Sequence, residues 1–241
     1  MRAALLFFLP VLALAQEGTY LVDSFSGEAS EGLPKGWKPL VFKKIPPTRY
    51  SLHREGDGFY LRAESSGSAS GIYKEVPVSL KDYPILSWRW RIGHVLKKAD
   101  ATKKSGDDYP ARIYLAFAYD PGSAGPWEKA GYGLARRLYG SYPPKAALNY
   151  VWDNRLPVGS VLDNAYTERA KMVVVESGDG KAGLWVAEER NAYEDYKKIF
   201  GKEPPKIAFI ALMTDTDDTG ESVSAGYDDI LFKKKDNQGG Q

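Results

Sequence analysis

The chemistry available to this chain sits in three acidic clusters, each placed beside an apolar run. Asp215-Thr216-Asp217-Asp218-Thr219-Gly220 follows the run Ile207 to Met213 directly. Carboxylates and hydroxyls at alternate positions, closing on glycine, form the oxygen-rich loop that a hard cation such as calcium prefers. The same residues also make an Asx-rich turn at a strand end. The spacing of an EF-hand and its closing Glu are missing. Gly106-Asp107-Asp108-Tyr109-Pro110-Ala111-Arg112 is a second dense polar stretch, and Asp228-Asp229 sits at the start of the last apolar run. If the clusters converge, their repulsion requires cations or Arg partners, and at least one carboxyl pKa should rise. Arg89, Arg91 and Arg112 are the obvious partners. Asp215, Asp217, Asp218 and Asp229 are the candidate calcium ligands.

Trp152, followed by Asp153-Asn154-Arg155, offers an aromatic face crowded by polar groups, the combination a sugar site uses. Arg89, Arg91, Tyr114, Trp152 and Asp153 form the candidate ligand-binding set. For an enzyme, Asp108, Arg112, Arg190 and Asp215 are the groups able to do acid, base and charge-stabilising work. Paired carboxylates for glycoside hydrolysis need a defined separation in space, which spacing along the chain does not supply. Three readings therefore stand together. The first is a protein that binds a carbohydrate or cell-envelope glycan, stabilised by calcium. The second is a hydrolase or lyase acting on a polysaccharide, and the third is a structural envelope protein.

Composition excludes several other classes. The chain has no Cys, which removes thiol chemistry, iron–sulfur clusters and cysteine-ligated zinc. His53 and His94 are its only histidines, so a His-rich metal centre is excluded. No glycine-rich loop follows a strand in the dinucleotide pattern. The formal charge of +2 creates no field that would recruit nucleic acid or anionic lipid.

The elements that must position these groups read as short strands. In Ile85 to Ile92, Leu86, Trp88, Trp90 and Ile92 take one face while Ser87, Arg89 and Arg91 take the other. Trp88 and Trp90 accordingly read as core. In Arg112 to Tyr119, Ile113, Leu115, Phe117 and Tyr119 face one way, Arg112 and Tyr114 the other. Tyr20 to Phe25, Arg49 to Arg54, Phe59 to Glu64, Gly71 to Val76 and Leu148 to Trp152 are further strands. Lys171 to Glu176, Gly183 to Ala187, Ile207 to Met213 and Tyr227 to Phe232 complete the set. Two short helices are expected, over Trp127 to Tyr139 and over Glu188 to Phe200, the latter closed by Gly201. With no composition shift or repeat, the pattern predicts one all-β domain over residues 16–235, a two-sheet antiparallel sandwich of jelly-roll type.

The start of the chain has its own signature. One positive charge at Arg2, an apolar run from Ala3 to Leu14 and Ala13-Leu14-Ala15 before Gln16 match a secretory signal over residues 1–15. The run is too short for a membrane-spanning helix. The expected location is the periplasm or the exterior, with a glycan as partner, no nucleic acid and no membrane insertion after cleavage. Residues 236–241 read as a flexible tail.

Several motifs together resemble a bacterial family of exported proteins that carry the domain of unknown function numbered 3047. They are Leu33-Pro34-Lys35-Gly36-Trp37, Ser68-Ala69-Ser70-Gly71, Trp88-Arg89-Trp90-Arg91, Gly106 to Tyr114, Leu148-Asn149-Tyr150-Val151-Trp152, Arg190 to Gly201 and Met213 to Gly220. The family usually has Asp-Asn-Thr where this chain has Asp217-Asp218-Thr219, an added carboxylate that favours cation binding. The resemblance brings no reaction, but it implies that the polar motifs are a shared feature of the family. The opening from Asp23 to Trp37 and the ending Tyr227-Asp228-Asp229-Ile230 are similar to jelly-roll carbohydrate-binding modules. There the first and last strands pair and supply calcium ligands, an analogy of fold alone.

Overall fold

The computed structural model describes residues 18–26, 32–122 and 143–235. The expected signal segment, the expected helix over Trp127 to Tyr139 and the tail lie outside the described residues. Among the described residues, thirteen strands build two sheets. The six-stranded sheet runs β11-β6-β13-β4-β3, with β1 also pairing β13, and the seven-stranded sheet runs β2-β5-β12-β7-β8-β10-β9. Their ranges in chain order are β1 Thr19–Asp23, β2 Lys38–Val41, β3 Arg49–Glu55, β4 Gly58–Ser66, β5 Ala69–Glu75, β6 Ile85–Ile92 and β7 Arg112–Phe117. They continue with β8 Ala146–Asp153, β9 Val161–Asn164, β10 Thr167–Ser177, β11 Val186–Asn191, β12 Ile207–Asp215 and β13 Ser222–Lys233. The arrangement is the expected jelly-roll-like sandwich, antiparallel except that β10 runs parallel to β8. That pair arises because the chain leaves β8, passes to the far edge as β9 and returns between them as β10.

Period-two alternation decides which side chains fill the space between the sheets. From β6, Leu86, Trp88, Trp90 and Ile92 point inward and are essentially sealed from solvent. Tyr150 and Trp152 of β8 meet them: Trp88 stacks on Tyr150 at 5.4 Å, and Trp90 lies 5.8 Å from Trp152. Aromatic pairs at these separations add to the burial of their large apolar areas. The inward residues of β7, Ile113, Leu115 and Phe117, belong to the same core. By the same parity Arg112, Tyr114, Met213 and Asp215 fall on the outer face of the seven-stranded sheet. The close approach of β5 to β12 requires glycine at position 71, since a Cβ there would sit 2.8 Å from the Leu212 carbonyl oxygen.

The expected helix begins later than its pattern suggests. Glu188 to Asn191 is strand, because the ladder of β11 against β6 pairs Glu188 with Trp88 and Asn191 with Ile85. The ladder outweighs the helical preference of Glu and Arg. The helix α1 is Ala192–Phe200, capped by Asn191, whose side chain accepts from the Glu194 N–H, and ended by Gly201 at a φ of 68°. Its buried Tyr196 packs on Phe117 at 4.5 Å, joining α1 to the core.

Candidate functional site

Asp215 ends β12, and the turn after it carries Asp217 and Asp218. The segment before β7 brings Asp107 and Asp108 to the same place. Asp108 is buried and accepts the backbone N–H groups of Asp218 at 3.3 Å and Thr219 at 2.7 Å, so it fixes the turn against the β7 entry. Asp215 is buried as well; it accepts the Tyr109 N–H at 3.2 Å and forms an ion pair with the Arg112 guanidinium. Arg112 also donates to the Asp107 carbonyl oxygen at 3.3 Å and approaches the Asp107 carboxylate at 3.8 Å. The rings of Tyr109 and Tyr114 flank the guanidinium at 4.9 and 5.7 Å.

The β9–β10 tip folds over this outer face. Leu162 packs with Tyr109, Val151, Met172 and Val174, and the Asn164 amide donates to Asp107 Oδ2 at 3.1 Å. Tyr166 follows, its hydroxyl 3.4 Å from the Asp218 carboxylate. From the other edge, the segment after β2 contributes Phe42 and Ile45. These parts enclose a cavity of about 370 Å³ whose lining includes Phe42, Asp107, Arg112, Asn164, Tyr166 and Asp217. The volume lies within the range of about 300–1,000 Å³ common for small-molecule sites.

Its electrostatics are unbalanced. Asp107, Asp108, Asp215, Asp217 and Asp218 surround one guanidinium. Burial raises the Asp107 carboxyl, partly offset by Arg112. Asp217 is raised by burial and then by Asp108, and Asp218 by burial and then by Asp108 and Asp217. Oxygens of Asp108, Asp215 and Asp217 lie within 4.8 Å of one another. That is about twice a calcium–oxygen bond of roughly 2.4 Å, so one hard cation fits between them. Among the described residues, Asp107 Oδ1 and Arg112 Nε are buried without a hydrogen-bond partner, two polar atoms left for whatever occupies the site.

The structure thus brings together Asp108, Arg112, Asp215, Asp217 and Asp218, with Tyr114 beneath the guanidinium. It does not bring the other candidates. Trp152 is fully buried, its Nε1 donating to the Gly178 carbonyl at 3.0 Å, so it is core and offers no ligand platform. Asp153 is consumed by the turn after β8, accepting from the N–H groups of Arg155 and Leu156. Arg190 binds Asp195 at 2.7 Å, and the Tyr150 hydroxyl donates to the same carboxylate, which ties β11 to the first turn of α1. Arg89 clamps the bulge in β13 through Asp228 at 2.6 Å and Asp229 at 2.8 Å, with Asp229 at a φ of 48°. Asp229 is thereby held in the six-stranded sheet, away from the other proposed calcium ligands. Arg91 is on that sheet too, paired with Glu55. Inward and outward parity separates these groups, since β6 and β7 turn their polar faces to opposite sides of the sandwich.

Sequence reasoning missed Asn164, Tyr166, Phe42 and Ile45. Asn164 and Tyr166 stand at a hairpin tip, where an Asn beside short apolar strands was the available signal. Phe42 and Ile45 lie in a Pro-rich lead-in with no periodicity to place them.

A family model described as "Protein of unknown function (DUF3047)" matches residues 35–231. No curated protein matches the sequence. Among solved structures, the family 11 carbohydrate-binding module of a cellulosomal cellulase of Clostridium thermocellum superimposes with a TM-score of 0.45 at 10% identity, covering 90% of this chain and 95% of that one. A family 12 xyloglucanase from Bacillus licheniformis gives 0.46 at 8% identity, with 90% and 99% covered. Endoglucanase 3 of Trichoderma harzianum, from family GH12, gives 0.44 at 8% identity, with 92% and 100% covered. These similarities concern the course of the chain alone.

Proposed function

The chain belongs to the DUF3047 family, and from that premise we propose that it is a polysaccharide-active hydrolase working in the periplasm or outside the cell. The observation that carries this reading is the cavity itself. It combines carboxyls raised by burial and mutual repulsion with a carboxylate, Asp215, whose charge is matched by Arg112. Neighbouring carboxyls whose environments push them apart are how acid and base roles are divided at one pH. Tyr166 and Phe42, both exposed, give apolar faces at two sides of the cavity, and Asn164 with the carboxyls supplies hydrogen-bonding groups. A pyranose ring presents C–H faces and hydroxyl edges that match such a lining.

In this reading Asp217 protonates the glycosidic oxygen as its bond to the anomeric carbon breaks, Asp215 bonds to that carbon, and water, deprotonated by Asp217, then displaces Asp215. The nearest oxygens of Asp215 and Asp217 are no more than 4.8 Å apart, short of the roughly 6.5–9.5 Å that inverting enzymes keep for a water and so on the retaining side. Arg112 holds Asp215 in position. Asp217→Asn should lower turnover of the responsive polysaccharide by about 10²-fold or more with the fold intact. Unchanged turnover in that variant, or no turnover of any polysaccharide in a broad panel, defeats the proposal.

A second reading rests on the triad of Asp108, Asp215 and Asp217, whose oxygens suit a calcium ion. Asp218 and Tyr166 would then border the ion. Calcium would supply charge compensation, tightening the turn and orienting the hydroxyls of a bound glycan.

A further inference from the structure

The six-stranded sheet carries a groove of opposite chemistry on its own outer face. Tyr60 and Arg62 of β4, Arg91 of β6 and Ser224 and Gly226 of β13 point outward there, opposite in parity to Leu61, Trp90 and Ala225. They line a groove of about 280 Å³, floored by the bare backbone of Gly93 and Gly226. The floor has little room for side chains. A Cβ at Gly226 would lie 2.9 Å from Trp185 Cη2 and 3.1 Å from the Tyr60 ring, and one at Gly93 would lie 3.1 Å from Ser224 Oγ.

Arg91 is held rigid beside this floor. Its guanidinium lies 4.7 Å from the Trp185 ring and 5.1 Å from the Tyr60 ring, and those two rings meet edge to face at 5.2 Å. Nη1 is fixed by Glu55 at 2.9 Å, and the Trp185 Nε1 donates to the same carboxylate at 2.8 Å. Glu55 therefore secures one nitrogen and leaves further N–H donors for a ligand. Arg62 is paired through Nη2 with Glu64 at 2.9 Å. Among the described residues, the groove lining includes both arginines and no carboxylate. A guanidinium already positioned loses little freedom when it binds a planar carboxylate through two parallel hydrogen bonds.

We propose that this groove binds a uronate unit of an acidic polysaccharide, its carboxylate held by Arg62 and Arg91. The carboxyl-rich cavity on the other face repels such a unit, so acidic sugar is anchored here. The site stands independently of the hydrolase reading, because it uses none of the residues of that cavity.

The test is amide NMR of the full protein titrated with a galacturonate trimer, with a neutral xylose trimer and inorganic sulfate as separate arms. The glycine amides of Gly93, Gly183 and Gly226 serve as reporters. The expected result is that the uronate trimer shifts these signals at millimolar concentration while the other two do not. Arg62→Gln and Arg91→Gln should each weaken that binding by about tenfold, and Asp217→Asn should leave it unchanged. Arg62→Gln leaves the Arg91–Trp185–Tyr60 stack intact, so its loss of binding reports on the groove and not on folding. Absence of shifts, equal shifts with the xylose trimer, shifts with sulfate alone, or shifts centred on Asn164 and Asp217 would each overturn the proposal. Loss of turnover without loss of uronate binding in Asp217→Asn separates failure of this site from failure of the other.

Discussion

Arg112 is the cation on which the acidic cavity depends, and Arg112→Met removes its charge while keeping most of its stem volume. The side chain is 3% exposed and its partner Asp215 is also 3% exposed, so the pair is screened very little by water. Breaking a buried pair from one side costs about 3–5 kcal/mol, because the remaining charge is left uncompensated. For a chain of this size that corresponds to a fall in melting temperature of about 6–20 °C. The loss has a sign in pH. Without Arg112 the Asp107 carboxyl, already raised by burial above the unfolded value of about 3.9, loses the charge that offsets that rise, and Asp215 loses its ion-pair partner. A carboxyl raised in the folded state weakens the fold above its unfolded pKa, and that weakening disappears as pH falls and both states become protonated. The deficit should therefore be largest near neutral pH and shrink towards about pH 4. Urea unfolding of wild type and variant at about pH 7.5 and about pH 5 measures it. A deficit under about 1 kcal/mol at the higher pH, or the same deficit at both, would refute the account of Arg112 as the charge that holds the cluster together.

Other expectations follow from the same structure. Glu188, raised to about 7 by burial and then by Glu176, weakens the fold above its ordinary value of 4.5. Glu188→Gln should stabilise by about 1 kcal/mol at alkaline pH after discounting for partial hydration. It should give no gain below pH 4.5. Equal unfolding midpoints of the two proteins at alkaline pH would contradict this. Trp152→Ala should cost about 3–5 kcal/mol as a large core truncation. Trp152→Phe, read by glycan titration, should leave any affinity unchanged, and a selective loss of binding would restore Trp152 as a platform. If calcium occupies Asp108, Asp215 and Asp217, calcium at about a hundred times its Kd adds about 2.7 kcal/mol. The melting temperature should then fall on chelation in wild type and not in Asp217→Asn. Product analysis by proton NMR should show retention of the anomeric configuration, and an inverted first product would refute the Asp215 and Asp217 assignment.

Local pattern was enough to place much of the fold. The alternation in Ile85 to Ile92 and in Arg112 to Tyr119 settles which side chains are core, because a strand has only two faces. The helix start was not legible in the same way. Glu188 to Asn191 has a composition that suits either state, and only the neighbouring strand β6 decided it. Within the site, Asp108, Arg112, Asp215 and Asp217 were legible as polar residues crowded beside apolar strands. Asn164 and Tyr166 were not, since nothing local says that the β9–β10 hairpin tip reaches Asp107 and Asp218.

The sequence by itself determined the supply of chemistry, carboxylates and guanidinium groups without thiols, and the strand faces on which those groups ride. It could not determine which of them meet. Arg89, Arg91 and Arg112 have the same character along the chain, each polar on an alternating strand. Tertiary structure sends the first two to the outside of one sheet and Arg112 to the outside of the other. There it meets Asp215, more than a hundred positions away in the chain, because β7 and β12 are neighbours and pair Met213 with Arg112. Strand order is set by the burial of both sheets together, a property of the whole chain and not of any window within it.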